Sequence, residues 1–187
     1  MKLKLLKREK VYEGRVFTTI VDQVEYPSGN TSVREVAEHS GGGVALAVFP
    51  DQRIILIRQH RYPFDEFIWE LPAGKLNPGE EPLHCARREL EEETGYRAKR
   101  WQKLTSIYTT PGFCSEVLHI FMGTGLEEAP GGRKLEEGEF TMTMTITPLA
   151  DAIAMIERGE IVDGKSIAGI LLGDRMLRKG QAKGLDE

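Results

Sequence analysis

Residues 82–94, PLHCARRELEEET, form the strongest helical segment in a chain whose first half otherwise reads as strands, and no other stretch constrains the fold as much. Pro82 suits a first helical turn and Gly95 suits the cap that ends the helix. Leu83, Ala86 and Leu90 recur at helical spacing and mark the face that packs inward. At 100° per residue, Glu89, Glu92 and Glu93 share an arc of roughly 100° on a neighbouring edge. Carboxylates so close repel by roughly a few tenths of a kcal/mol per pair on an open helix. Arg87 and Arg88 stand four residues before Glu91 and Glu92 and could relieve them, as on any solvated acidic face. A hard cation would do the same, and an oxygen-rich site with few ligands suits Mg²⁺ on a phosphate. A solvated face leaves the glycine-rich approach to the helix, and Glu80 before it, unexplained.

Strands surround this helix. Residues 3–26 read as short strands, Pro27-Ser28-Gly29-Asn30 as a turn, and TSVREVAEH as the return strand. This hairpin-rich piece, residues 1–40, is too short to bury a core alone and must pack on the rest or on a second copy. Residues 41–187 then form the main domain. Gly41-Gly42-Gly43 precedes strands at Val44–Phe49 and Arg53–Arg58, and Phe67–Leu71 leads to Pro72-Ala73-Gly74. Later strands are expected at 101–109, 115–122 and 140–147, with helices at 148–158 and 165–179. Residues 126–139, LEEAPGGRKLEEGE, read as a polar loop of a length that often carries function. The order lacks regular βαβα alternation, so the expected class is α+β: a mixed sheet with helices on its faces and a small β-rich N-terminal appendage.

Composition narrows the partners. A formal net charge of −4 argues against a nucleic-acid-binding surface, which needs a dense basic face. A phosphate substrate remains possible, because local arginines and bound cations reverse the sign of a pocket. Cys85 and Cys114 make neither a disulfide framework nor a zinc site. No run approaches the roughly 20 apolar residues of a membrane span, and the N-terminus lacks the apolar core of a signal peptide. The expected setting is a reducing cytoplasm, without a membrane partner.

The stretch 74–96, GKLNPGEEPLHCARRELEEETGY, resembles the Nudix box. Gly74, Glu80, Arg88, Glu89, Leu90, Glu92, Glu93 and Gly95 fall in its register; Tyr96 replaces the usual aliphatic last residue, a matter of packing rather than chemistry. The resemblance implies an α/β/α sandwich and a loop–helix–loop site for divalent cations bridging a pyrophosphate that water attacks. It implies Glu89 and Glu93 as principal metal ligands, with the Ala73 carbonyl as a backbone ligand. Glu92 is a further ligand or holds a metal-bound water. Glu80 and Arg88 brace loop and helix by an ion pair, so Arg88 and Glu92 belong to the catalytic machinery. Gly74 and Gly95 are structural. The cation is expected to be Mg²⁺, or Mn²⁺ or another divalent ion, two or three per site. Cys85 reads as a small residue packed under the loop.

Flanking segments are similar to the ADP-ribose pyrophosphatase branch: RQHRYP (58–63), WELPAGKL (69–76), Pro111 standing 15 residues beyond Tyr96 in TTPGFCSE, and IVDGKSIAGILL (161–172). That resemblance implies a small nucleotide substrate, ADP-ribose split to AMP and ribose 5-phosphate, and a homodimer. The branch's general base usually lies on a loop outside the box. By position it is Glu137 here, with Glu139 as an additional metal ligand, and the two roles could be exchanged. Arg61, Arg34 and Glu116 are the expected substrate contacts, and Phe17 and Tyr26 are candidates for stacking on adenine. His119 reads as packed or surface-facing. Alternatives with the same chemistry are GDP-mannose or another sugar nucleotide, NADH and dinucleoside polyphosphates. A non-catalytic nucleotide sensor is disfavoured by the intact carboxylates, and an mRNA-decapping enzyme by the acidic net charge.

Overall fold

The computed structural model describes residues 2–135 and 137–180 and divides into two compact units, 1–41 with 108–117, and 42–107 with 118–187. The first unit is an antiparallel meander of β1 (Lys4–Glu13), β2 (Thr18–Glu25) and β3 (Thr31–Glu38). Strand β2 buries Ile20, Asp22 and Val24 at alternate positions, the period-two pattern of a one-faced strand. The buried Asp22 is held by both forks of Arg8, at 2.8 and 2.7 Å. Strand β1 is exposed along its whole length. Residues 108–117 join this unit through Ala37, whose N–H donates to Phe113 O at 2.7 Å and whose carbonyl accepts from Ser115 N at 2.9 Å.

The second unit holds the remaining elements: β4 (Gly42–Ala47), β5 (Arg53–Arg61), β6 (Glu66–Glu70), β7 (Ala73–Lys75), α1 (Pro82–Thr94), β8 (Tyr96–Tyr108), β9 (Val117–Glu128), a 3-10 turn (Glu137–Glu139), β10 (Thr143–Pro148), α2 (Leu149–Glu157) and α3 (Gly164–Arg178). One sheet runs β7-β4-β9-β8, with β4 parallel to β9 and antiparallel to β7; the other runs β10-β5-β6, antiparallel throughout. Strand β4 is buried on both faces, as its unbroken apolar run requires. Val44 and Leu46 join a cluster with Ala152 of α2 and Ile170 of α3. Ala45 and Ala47 meet Ala86 and Leu90 of α1. Helices therefore cover opposite faces of a mixed sheet, the expected α+β sandwich.

Helix α1 lies at the expected residues, Pro82 to Thr94. Gly95 ends it at φ 73°, a left-handed conformation that suits glycine, and donates to Glu91 O at 2.8 Å. Other boundaries move. Strand β8 begins at Tyr96 rather than 101, because α1 passes directly into it. Strand β9 begins at 117 and runs on to Glu128, taking the first residues of the expected 126–139 loop. Gly125 does not stop it: at φ 67° it lies against Lys99, so the strand bends and continues. Strand β5 extends to Arg61 because it pairs with β6 as far as Glu66.

Candidate active site

The acidic edge of α1 faces the protein, not solvent. Glu89 is 8 % exposed and Glu93 only 2 %; Glu92 is intermediate. Strand β7 lies against them. The Ala73 N–H donates to Glu93 Oε2 at 2.9 Å. At Gly74 a Cβ would collide with the Glu89 carboxylate, so a side chain there would displace that carboxylate from its place against the strand. Cys85, one turn earlier, donates its thiol to Gly74 O at 3.3 Å, and burial pushes that thiol up to about 11. It packs under the loop as an unreactive thiol.

Arg88 ties the box together. Its Nε and Nη2 donate to the two oxygens of Glu80 at 3.0 and 3.1 Å, and Nη2 also reaches Lys75 O at 3.2 Å. Its Nη1 donates to Glu89 at 2.5 Å and to Glu92 at 3.0 Å. Glu80 accepts from Asn77 N at 3.0 Å, so one guanidinium fixes the approach loop to the helix. The hydrogen bond from Arg88 holds the Glu80 carboxyl below its usual range, whereas the cation itself is held further toward its charged form. The i,i+4 pairing at Glu91 does not form. Arg87 lies over Trp101, and Glu91 pairs with Arg97 and Lys134.

Burial dominates the titration of Glu89 and Glu93. It pushes Glu89 up to about 7, against the opposing charge of Arg88 and with help from Glu92 and Glu139. It also pushes Glu93 well above the carboxylate range, reinforced by Glu89 and Glu139. Two buried carboxyls of raised affinity for protons, with oxygen donors around them, fit a hard divalent cation, which would relieve the repulsion they suffer. Among the described residues no three His, Cys, Asp or Glu side chains converge as they stand to hold a metal. The Arg88 Nη1 bridges Glu89 and Glu92.

The 3-10 turn carries Glu137, exposed, and Glu139, half-buried, whose charge is felt at both Glu89 and Glu93. Glu136, part of the same acidic run, lies outside the described residues. Arg61 is engaged on both sides by Glu70, at 2.6 Å from Nε and 2.6 Å from Nη2. In the first unit, Arg34 donates to Tyr26 Oη at 2.5 Å and to Ser32 Oγ at 3.0 Å, and Glu116 lies 3.3 Å from His39 Nδ1. Phe17 is exposed. His119 is half-buried and shares a 2.9 Å hydrogen bond with Ser106.

Two groups that the sequence left unassigned adjoin the box. Glu70, 2 % exposed, binds Arg61 and the buried Lys165, which also reaches Asp163 at 2.8 Å. Asp163 caps α3 by accepting from Ser166 N at 3.0 Å, and Ser166 Oγ accepts from Leu71 N at 2.7 Å. Helix α3 thereby fixes the strand exit leading to Ala73. Glu70 and Lys165 stood inside WELPAGKL and IVDGKSIAGILL, but their pairing joins positions 95 residues apart and has no local signal. Arg133 is the second addition. Its Nε donates to Glu93 O at 2.6 Å and its Nη2 to Met142 O at 3.1 Å.

A family model described as NUDIX domain matches residues 39–168. The chain belongs to the Nudix family. This Nudix chain is 42 % identical over 167 residues to the ADP-ribose pyrophosphatase of Bacillus subtilis (strain 168), covering 89 % of this chain and 90 % of that protein. It is 38 % identical to the methanol dehydrogenase activator of Bacillus methanolicus, covering 89 % and 90 %. It is 39 % identical to the ADP-ribose pyrophosphatase of Mycobacterium tuberculosis, covering 89 % and 80 %. A crystal structure titled ADP compounds hydrolase superposes with a TM-score of 0.81 at 25 % identity, covering 97 % of this chain and 96 % of that one. Nudix hydrolases use divalent cations, and the buried oxygen donors around Glu89 and Glu93 suit one.

Proposed function

We propose that this chain hydrolyses ADP-ribose to AMP and ribose 5-phosphate, using Mg²⁺ held by Glu89, Glu93 and the Ala73 carbonyl, with Glu139 as an additional ligand. The observation that carries the chemistry is the buried pair Glu89 and Glu93 beside β7, within reach of the charge on Glu139. Two relatives named for ADP-ribose support the substrate. A bound divalent cation neutralises charge on the pyrophosphate oxygens and acidifies water. Arg88 holds Glu80, Glu89 and Glu92 in register, so the carboxylates keep their places as substrate arrives. Glu137, the exposed carboxylate of the 3-10 turn, takes the proton from the attacking water. The exchanged assignment, Glu139 as base, remains the alternative. Arg34, Arg61 and Glu116 contact substrate; Glu70 already orients the Arg61 fork.

The chain works as a homodimer in a reducing cytoplasm. The exposed Leu5, Leu6, Val11 and Tyr12 of β1 support the first part, and the free thiols Cys85 and Cys114 the second. No helix among the described residues is long and apolar enough to cross a membrane. The test is a panel of ADP-ribose, GDP-mannose, NADH and a dinucleoside polyphosphate, with Mg²⁺ and product analysis. ADP-ribose should be cleaved fastest. Rapid GDP-mannose cleavage with ADP-ribose untouched would transfer the function to a sugar-nucleotide pyrophosphatase.

A further inference from the structure

We propose that Arg133 is a positioning residue, a clamp that closes the neck of the acidic loop on the C-terminal end of α1 and so sets Glu137 and Glu139 against the box carboxylates. The last carbonyls of a helix have no partners within it and must find them outside. Here the 129–134 segment serves Glu92 and Glu93, and also Gly95 just beyond the helix. Lys134 N donates to Glu92 O at 2.8 Å, Ala129 N to Gly95 O at 2.7 Å, and Arg133 Nε to Glu93 O at 2.6 Å. A cation at this end also complements the helix dipole.

Capping alone would not require an arginine, since a lysine or a water could satisfy one carbonyl. The second bond is the distinguishing one. Arg133 Nη2 donates to Met142 O at 3.1 Å, and Met142 is buried and donates its own N–H to Glu139 O at 2.7 Å. One planar fork therefore joins residue 133, where the loop begins, to residue 142, where it ends, and joins both to the backbone of Glu93. The acidic run lies between those two points. The neck is thereby tied to the backbone of Glu93, and Glu139 to the neck through the Met142 N–H. Space on the other side is tight: a Cβ at Gly95 would stand 3.2 Å from Arg133 N and from Gly132 C. A lysine offers one flexible ammonium where the clamp needs a rigid fork reaching two carbonyls.

This inference rests on the reading that the loop carboxylates serve the reaction, and the test separates the two. Arg133→Gln and Arg133→Lys are compared with wild type in steady-state kinetics and in amide hydrogen exchange, which reads the loop without reference to activity. The clamp predicts faster exchange over residues 134–142 in Arg133→Gln while the middle of α1 stays protected. It predicts kcat down at least tenfold with KM within about threefold, and Arg133→Lys in between. It also predicts non-additivity with Glu137→Gln: in that background, Arg133→Gln should cost less than about threefold more. If Arg133→Gln unfolds, Arg133→Lys carries the same comparisons. Unchanged exchange over 134–142, or losses that multiply fully in the double variant, would overturn the clamp. Faster loop exchange in a wild-type background that cleaves no diphosphate would uphold the clamp and refute the functional reading.

Discussion

At Glu93 a carboxylate sits 2 % exposed, with a backbone N–H against one oxygen and a second buried carboxylate nearby. Charging such a group costs free energy unless a cation arrives, so Glu93→Gln should leave the melting temperature of metal-free protein unchanged or raise it. The same substitution should lower kcat roughly a hundred- to thousandfold, by analogy with removal of other groups that stabilise developing charge. Thermal unfolding and kinetics on one preparation check both halves, and full activity in the variant would refute the metal role. Glu89 gives the pH dependence. Its carboxyl is raised from 4.5 to about 7 in the folded chain, so the native state holds the proton more tightly than the unfolded one. Its contribution to metal-free stability is therefore lost as pH rises from 4.5 through about 7. Cation binding must displace that proton, so half-saturating Mg²⁺ should fall with rising pH across the same window, by up to about tenfold per unit for a single proton. A titration of metal affinity between pH 5.5 and 8 reads the slope, and a flat profile would exclude Glu89 as the ligand that titrates.

Strand β7 and its neighbours show what a helix cannot supply alone. The chain entering it is held from α3 through Ser166 and Asp163 and from β5 through Arg61, which grips Glu70 at the end of β6. Breaking one member of a buried ion network leaves the others uncompensated, so Glu70→Gln should cost about 3 kcal/mol, discounted somewhat because Arg61 is partly exposed. Chemical denaturation measures it, and a loss under about 0.5 kcal/mol would show the network to be dispensable. The box was legible before the structure because Gly74, Glu80, Arg88 and the carboxylates Glu89, Glu92 and Glu93 stand in one continuous segment in the register of a known family motif. Helix α1, its proline start and its Gly95 cap follow from those same local signals. Arg133 and Lys165 were not legible, because their partners are backbone carbonyls or residues distant in sequence, and no periodicity records such a pairing. The burial of Glu89 and Glu93 was also hidden: a helical wheel shows which residues share an edge, not that β7 presses glycine against that edge. Strand β9 overran its expected end because it lies beside β8 as well as β4, whose own pairing with it ends at Gly123.

For the whole molecule, the exposed strand β1 and the apolar side chains on it give the dimer reading a direct test. Sedimentation should report twice the chain mass, and Val11→Glu should shift that equilibrium toward single chains; a wild-type monomer at micromolar concentration would remove the reading. The net charge of −4 sets the general field, but the site's sign depends on the cation it takes up. The central claim joins the box carboxylates to one bond cleavage. Its most direct test is product analysis of ADP-ribose incubated with wild type and Glu93→Gln, each with Mg²⁺ and with chelator. AMP and ribose 5-phosphate in equal amounts, from wild type with Mg²⁺ alone, is the predicted result; equal turnover in the presence of chelator, or by Glu93→Gln, would contradict it.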